Sequence, residues 1–249
     1  MDSHTRKSSP GALMIQSAPQ AAAQAIREAI ISGTLRGGDR IVELKWATLL
    51  GIGQPTLREA LQELEHQGLV RKFQQRGTYV TQLSPEDYRL IQEVHIPLEA
   101  IAVGKAAENL TPEAEKELTT IVNAMAGQGM NDLDVKNFHD CDVAFHRKIW
   151  ELAGNEYLRD ALEAITFRLF VFSVVGRWPD NPNALSERLA AVQEHLGILE
   201  GLRTRDKNLA RQAFVKQTVQ YWNMQYGLNL DEQELSFPAQ LRVPVDVSR

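Results

Sequence analysis

The sequence predicts a mainly α-helical chain in two parts: three short helices closed by a β-hairpin, then an antiparallel all-α bundle of six to seven helices. Three observations point there. Apolar residues recur at three- and four-residue spacing along most of the chain, the mark of one buried helix face. That period gives way to β-branched, extended sequence only between Leu69 and Thr81. Charge changes sign just beyond: residues 1–83 hold 10 Lys and Arg against 7 Asp and Glu, a net of +3, and residues 84–249 hold 17 against 25, a net of −8. Such asymmetry suggests two domains with different partners.

Composition bounds the rest. The 249 residues are 43% hydrophobic and 24% charged, enough for one large core or two smaller ones, and they exclude a wholly disordered or collagen-like chain. The single cysteine, Cys141, rules out a disulfide framework and fits a reducing compartment. The longest apolar stretch, around Leu169 to Val175, is far below the ~18 residues of a membrane span. Residues 1–17 carry Arg6 and Lys7 followed by Ser8, Ser9, Pro10 and Gly11. They read as a disordered arm with no apolar signal-peptide core, and the expected location is the cytoplasm.

The elements follow in order. A first helix spans Pro19 to Ser32, with Ala22, Ile26, Ala29 and Ile30 on one side, and Gly33 stops it. Gly37-Gly38-Asp39 makes a turn. A second helix covers Glu43–Leu50 with Leu44, Ala47 and Leu50 inward, and Gly51-Ile52-Gly53 breaks it. The third runs from Gln54 to His66 and ends before Gly68. Leu69–Phe73 and Thr78–Thr81 read as strands joined by a tight turn at Gln74–Gly77. This is a winged helix-turn-helix outline over residues 18–83. Ser84 then caps a new helix, with Pro85 at its first position and Glu86 and Asp87 in its first turn. Helices are expected near 85–109, 111–126, 132–153, 156–176, 183–203 and 206–227, with Pro97 kinking or splitting the first. They form one all-α domain over 84–230. An irregular tail, 231–249, contains Pro238 and Pro244.

The third helix carries the chemistry of the first domain. Leu57, Ala60, Leu61 and Leu64 form an apolar stripe that must pack inward. Gln54, Arg58 and Gln62, at i, i+4 and i+8, line a neighbouring polar stripe. From a helix in the major groove, Arg pairs with guanine O6 and N7 and Gln with adenine. The Gly53 backbone and the Thr56 hydroxyl can serve phosphate. Arg76 and Gly77 at the hairpin tip can approach the minor groove or backbone. The stripe alone also fits an ordinary solvated helix face; the order of elements around it favours DNA.

Residues 19–83 resemble the DNA-binding domain of GntR-family bacterial transcription regulators. The stretches that carry the likeness are Ile30–Gly38, Leu49–Ile52, Leu57–Leu64, Gly68–Val70 and Arg76–Val80. The resemblance implies that Arg58 is the base-reading arginine and Gly77 the wing glycine. The family usually has Ser or Thr where Gly53 stands and Arg where Gln54 stands, and both changes bear on which operator is read.

In the second domain, Asp142 and His146 sit four residues apart on one helix face and can chelate one ion. His139, seven residues before His146, lies roughly on the same face. His195 sits among apolar Val192, Leu196 and Leu199. Spacing alone leaves both a ligand and a core histidine open there. Phe138–Asn155, then Glu194-His195 with Ile198-Leu199, then Asp206–Thr218 with Ala210 and Phe214, resemble the FadR-type FCD domain of the same family. That likeness implies a divalent ion, zinc or nickel, on Asp142, His146, His195 and a fourth position. The fourth falls on Gln217, where a histidine is usual, and a neutral amide oxygen is the poorer donor. The family's acid-clamping arginine falls on His95, four residues before Glu99, so His95 and Glu99 are the expected effector pocket.

The resemblance thus implies a homodimeric one-component transcription regulator. Its winged helix would bind a palindromic double-stranded operator, and its helical domain a small organic acid. Two alternatives stay open: a metal-free regulator sensing acyl-CoA, as in some relatives, and a helical metal-dependent enzyme acting on a small carboxylate. Glu63-x-x-His66 lacks the second pair of a di-iron bundle. His139-Asp140-Cys141 has no framework to orient a nucleophile. Trp150, Trp178 and Trp222 read as packing or cavity walls.

Overall fold

A computed structural model describes residues 17–127, 135–175 and 183–236. The first domain holds α1 (Ala18–Ile31), β1 (Arg40–Ile41), α2 (Glu43–Leu50), α3 (Gln54–His66), β2 (Val70–Phe73) and β3 (Gly77–Val80). The second holds α4 (Pro85–Glu108), α5 (Pro112–Ala126), α6 (Val135–Leu152), α7 (Glu156–Val175), α8 (Ala184–Arg203), α9 (Lys207–Tyr226) and the single turn α10 (Glu232–Leu235). The predicted class, a winged helix-turn-helix before a helical bundle, is the one found.

Ser17, expected in a disordered arm, caps α1. Its hydroxyl accepts from Gln20 N–H, and the Gln20 side chain accepts from Ser17 N–H in return. This reciprocal pair satisfies two otherwise orphaned donors. The rest of the expected arm, residues 1–16, lies outside the described residues.

The wing is a three-stranded antiparallel sheet in the order β1-β3-β2, with Arg40 opposite Tyr79 and Val70 opposite Val80. The expected hairpin is β2 and β3. The added strand, β1, is two residues long and too short to show alternation in sequence. Ile26, Ile30, Leu57, Leu64 and Leu69 form the core of this domain. Leu44, whose spacing predicts an inward position, is 64% exposed. The buried face of α2 is centred on Trp46, Ala47 and Leu50, and at 3.6 residues per turn that leaves Leu44 beyond its edge.

In the bundle, α4 is central and packs on α6, α7 and α9, while α8 packs on α5 and α9. Ile96, Phe145, Ile149, Trp150 and Phe214 anchor its core. Pro97 does not split α4, which runs unbroken from Pro85 to Glu108. The carbonyl that loses its donor belongs to exposed Glu93 and can turn to water. The tail departs from expectation at α10, where Asp231 caps Gln233 N–H and Leu235 is buried. The remainder, 237–249, and Trp178 lie outside the described residues. No described helix is long and apolar enough to cross a membrane.

Candidate DNA interface and metal centre

The amphipathic pattern of α3 sets its orientation. Leu57, Ala60, Leu61 and Leu64 are buried, so Arg58 and Gln62 are exposed and Gln54 and Thr56 half-buried. Arg58 Nε donates to Glu43 Oε2 at 2.7 Å, and Arg58 Nη2 donates to Gln54 Oε1 at 3.4 Å. The Arg58 side chain keeps 58% of its surface exposed. Glu43, which no periodic pattern singles out, therefore holds the guanidinium through Nε while Gln54 takes Nη2, and most of the side chain stays exposed. At the wing tip Arg76 is exposed, and Arg76 N–H donates to Phe73 O at 3.1 Å to close the turn. Gly77 has φ +97°, and a Cβ there would lie 3.2 Å from Arg40 Nε. The positive φ calls for glycine.

In the bundle, Asp142 and His146 from α6 meet His195 from α8. Each offers a ligand atom, and the three atoms lie within 4.8 Å of one another, all on buried side chains. Asp142 Oδ1 is 2.9 Å from His195 Nε2 and 3.7 Å from His146 Nε2. The other ring nitrogens are committed. His195 Nδ1 donates to the Ala191 carbonyl at 2.7 Å, and His146 Nδ1 donates to Glu99 Oε1 at 2.7 Å. Acceptors on both Nδ1 atoms leave both Nε2 atoms to face Asp142. This is the arrangement in which outer partners fix metal-binding tautomers, and the donor set fits a divalent ion.

Glu99 is fully buried and does not line the cavity, contrary to its expected place in the effector pocket. Its carboxylate is consumed by His146, by Trp150 Nε1 at 2.7 Å and by His95. Burial pushes its pKa up, but His146 and His95 prevail and hold it well below the usual range. Burial pushes His146 down, and Glu99 beside it lifts it to about 9. Asp142, raised by burial, is pulled below its ordinary value mainly by the His195 hydrogen bond. Glu194, also buried, is raised to about 7 by desolvation despite His195 and His146. A divalent ion held by Asp142 and the two Nε2 atoms would require both of those nitrogens to be deprotonated.

The cavity over this cluster has a volume of about 50 Å³. His95, Glu194 and Thr218 line it with the three candidate ligands, and Phe170, Trp222 and Tyr226 supply aromatic wall. Gln217 is the expected fourth ligand. It does not line the cavity; its side chain lies against Gly197, where a Cβ would come within 2.5 Å of Gln217 Cδ. Its neighbour Thr218 faces the cluster instead, since one residue along a helix turns the face by about 100°. His139, also on α6, has its Nδ1 3.3 Å from Asp140 Oδ1 and lines the wider cleft that also contains Phe167 and Arg168.

Residues 19–80 match the family described as bacterial regulatory proteins, gntR family, and residues 90–216 match the FCD domain. The chain belongs to the GntR family. Its FCD domain places it in the FadR subfamily, so this GntR protein is a DNA-binding transcription regulator with an effector-binding helical domain. It is 25% identical over 194 residues to an uncharacterised HTH-type transcriptional regulator, YdhC, of Bacillus subtilis, covering 75% of this chain and 81% of the relative. It is 29% identical over 192 residues to a probable D-xylose utilization operon transcriptional repressor of Paenarthrobacter nicotinovorans, covering 77% and 81%. Among solved structures, E. coli McbR/YncC superposes with a TM-score of 0.68 at 20% identity, covering 86% of this chain and 99% of that one. A GntR regulator from Rhodococcus sp. RHA1 gives 0.65 at 20% identity, with the same coverage. These two likenesses establish the shared fold.

Proposed function

We propose that this GntR regulator reads a palindromic operator as a cytoplasmic homodimer, and that a divalent cation, zinc or nickel, in its FCD domain helps bind a small organic acid that modulates DNA binding. On DNA, Arg58 takes a guanine and Gln54 and Gln62 neighbouring bases. Thr56 and the wing, Arg76 and Gly77, hold backbone or minor groove. In the FCD domain, Asp142, His146 and His195 hold the ion. Three protein ligands leave coordination open for an incoming oxygen, and the ion supplies the positive charge that a carboxylate needs where His95 replaces an arginine. The observation that carries this reading is the convergence of Asp142 Oδ1 and two Nε2 atoms whose tautomers are set from behind.

A cavity of about 50 Å³ offers room for only a few water molecules at ~10–15 Å³ each, which favours a small acid over an acyl-CoA. The family and its relatives are regulators, so we read sensing, not turnover, at this centre. Native mass spectrometry of the purified protein tests it. Wild type should retain one ion per chain and His146→Ala none; equal metal content in the two removes the site.

A further inference from the structure

We propose that α7 couples the cation centre to the DNA-reading domain through residues 167–172; the proposal rests on the metal reading above. Two neighbouring side chains of α7, Leu169 and Phe170, line the cavity, and the Phe170 ring is 5.2 Å from the His146 ring. The residues on either side pack against the other domain. Val171 and Phe172 are buried in the winged-helix core, with Phe167 packed against it. Arg27 of α1 lies 5.9 Å over the Phe167 ring. Arg168 covers Gly68, where a Cβ would come within 2.4 Å of Arg168 Cδ. At 3.6 residues per turn, positions 167, 168, 171 and 172 share one side of the helix and 169 and 170 the other. A single rigid helix thus has one face on each site.

The contact with Gly68 makes this more than packing. Gly68 has φ +73° and stands between α3, which carries Arg58, and β2, which leads to the wing. Movement of Arg168 therefore acts on the joint between the two DNA-contacting elements. Tyr88 braces the same turn: its hydroxyl donates to the Phe172 carbonyl at 3.0 Å. Its ring lies 5.0 Å from Tyr226 and 5.7 Å from Trp222, both of which line the cavity. Dense interiors transmit such shifts because packed side chains cannot yield independently.

Hydrogen exchange of the full chain, with zinc alone as the probe, tests the coupling. Zinc should slow exchange around residues 138–150 and 191–199, and also in residues 54–73, the latter by ~5-fold or more, the lower end of typical coupling. In Phe167→Ala/Arg168→Ala, whose replaced residues are half-buried and exposed, the local slowing should persist and the remote slowing disappear. The exposed single variant Arg168→Ala should weaken the remote response alone. Remote protection that survives in the double variant overturns the proposal. So does wild-type protection confined to the cavity, which leaves the metal reading standing. No protection anywhere removes the metal reading and the coupling with it.

Discussion

His146 Nδ1 donates to Glu99 Oε1 across 2.7 Å, from α6 to α4, and Trp150 Nε1 shares the same oxygen at the same distance. One buried carboxylate therefore sets the tautomer of a proposed ligand and pins the tryptophan one turn beyond it. Glu99→Gln keeps the size but offers one carbonyl and one donor in place of two acceptor oxygens. Metal affinity should fall by ~10–100-fold, the usual effect of removing an outer partner of a ligand. Competition with a chromophoric chelator measures it, and an unchanged affinity would separate Glu99 from the site.

On the DNA side, Arg58→Ala and Arg76→Ala should fail differently. A bidentate base contact is worth ~1–3 kcal/mol of discrimination. Arg58→Ala should therefore cost affinity of that order and relax specificity at one base pair per half-site. Arg76→Ala at the exposed wing tip should weaken all sequences alike and reduce the salt-dependence slope by ~1. Binding isotherms on a matched and a single-mismatch duplex at several salt concentrations distinguish the two patterns.

Gln217 makes a sharper test of the cavity. Its side chain packs on Gly197 and leaves the cavity wall to Thr218. Gln217→Ala should keep the metal content of wild type, whereas Asp142→Ala should lose it. Loss of metal in Gln217→Ala, measured by native mass spectrometry, would reinstate the glutamine as a ligand.

What could be read from sequence followed local period. The Arg58 stripe and the Asp142–His146 pair are visible because helical spacing alone places them on a face. His195 joins Asp142 from 53 positions away, and only its likeness to a family motif marked it out. Gln217 and Thr218 are adjacent in sequence, but one step along a helix turns the face by about 100°, and Thr218 is the one that lines the cavity. Contacts between elements left no periodic trace: Glu43 on Arg58, β1 beside β3, Glu99 beneath His146, and Phe172 in the core of the other domain. Each depends on how helices cross, and no local pattern encodes that.

The junction between the domains carries a pH-dependent contribution to stability. Ser84 and Asp87 form the capping box of α4: Asp87 Oδ2 accepts from the Ser84 hydroxyl at 2.6 Å and from Ser84 N–H at 2.8 Å. These bonds, the hydroxyl's first, hold the Asp87 pKa below its ordinary value of 3.8 against the opposing effect of partial burial. A depressed folded-state pKa means the stabilisation is present above the unfolded value and disappears as pH falls through the folded one. Ser84→Ala should cost ~1 kcal/mol near neutral pH, the usual loss for a removed cap. The gap in urea midpoint between wild type and Asp87→Asn should be constant above pH ~5, narrow below 3.8 and close in stronger acid. A gap that widens with acidity would mean the carboxylate is not held by the cap.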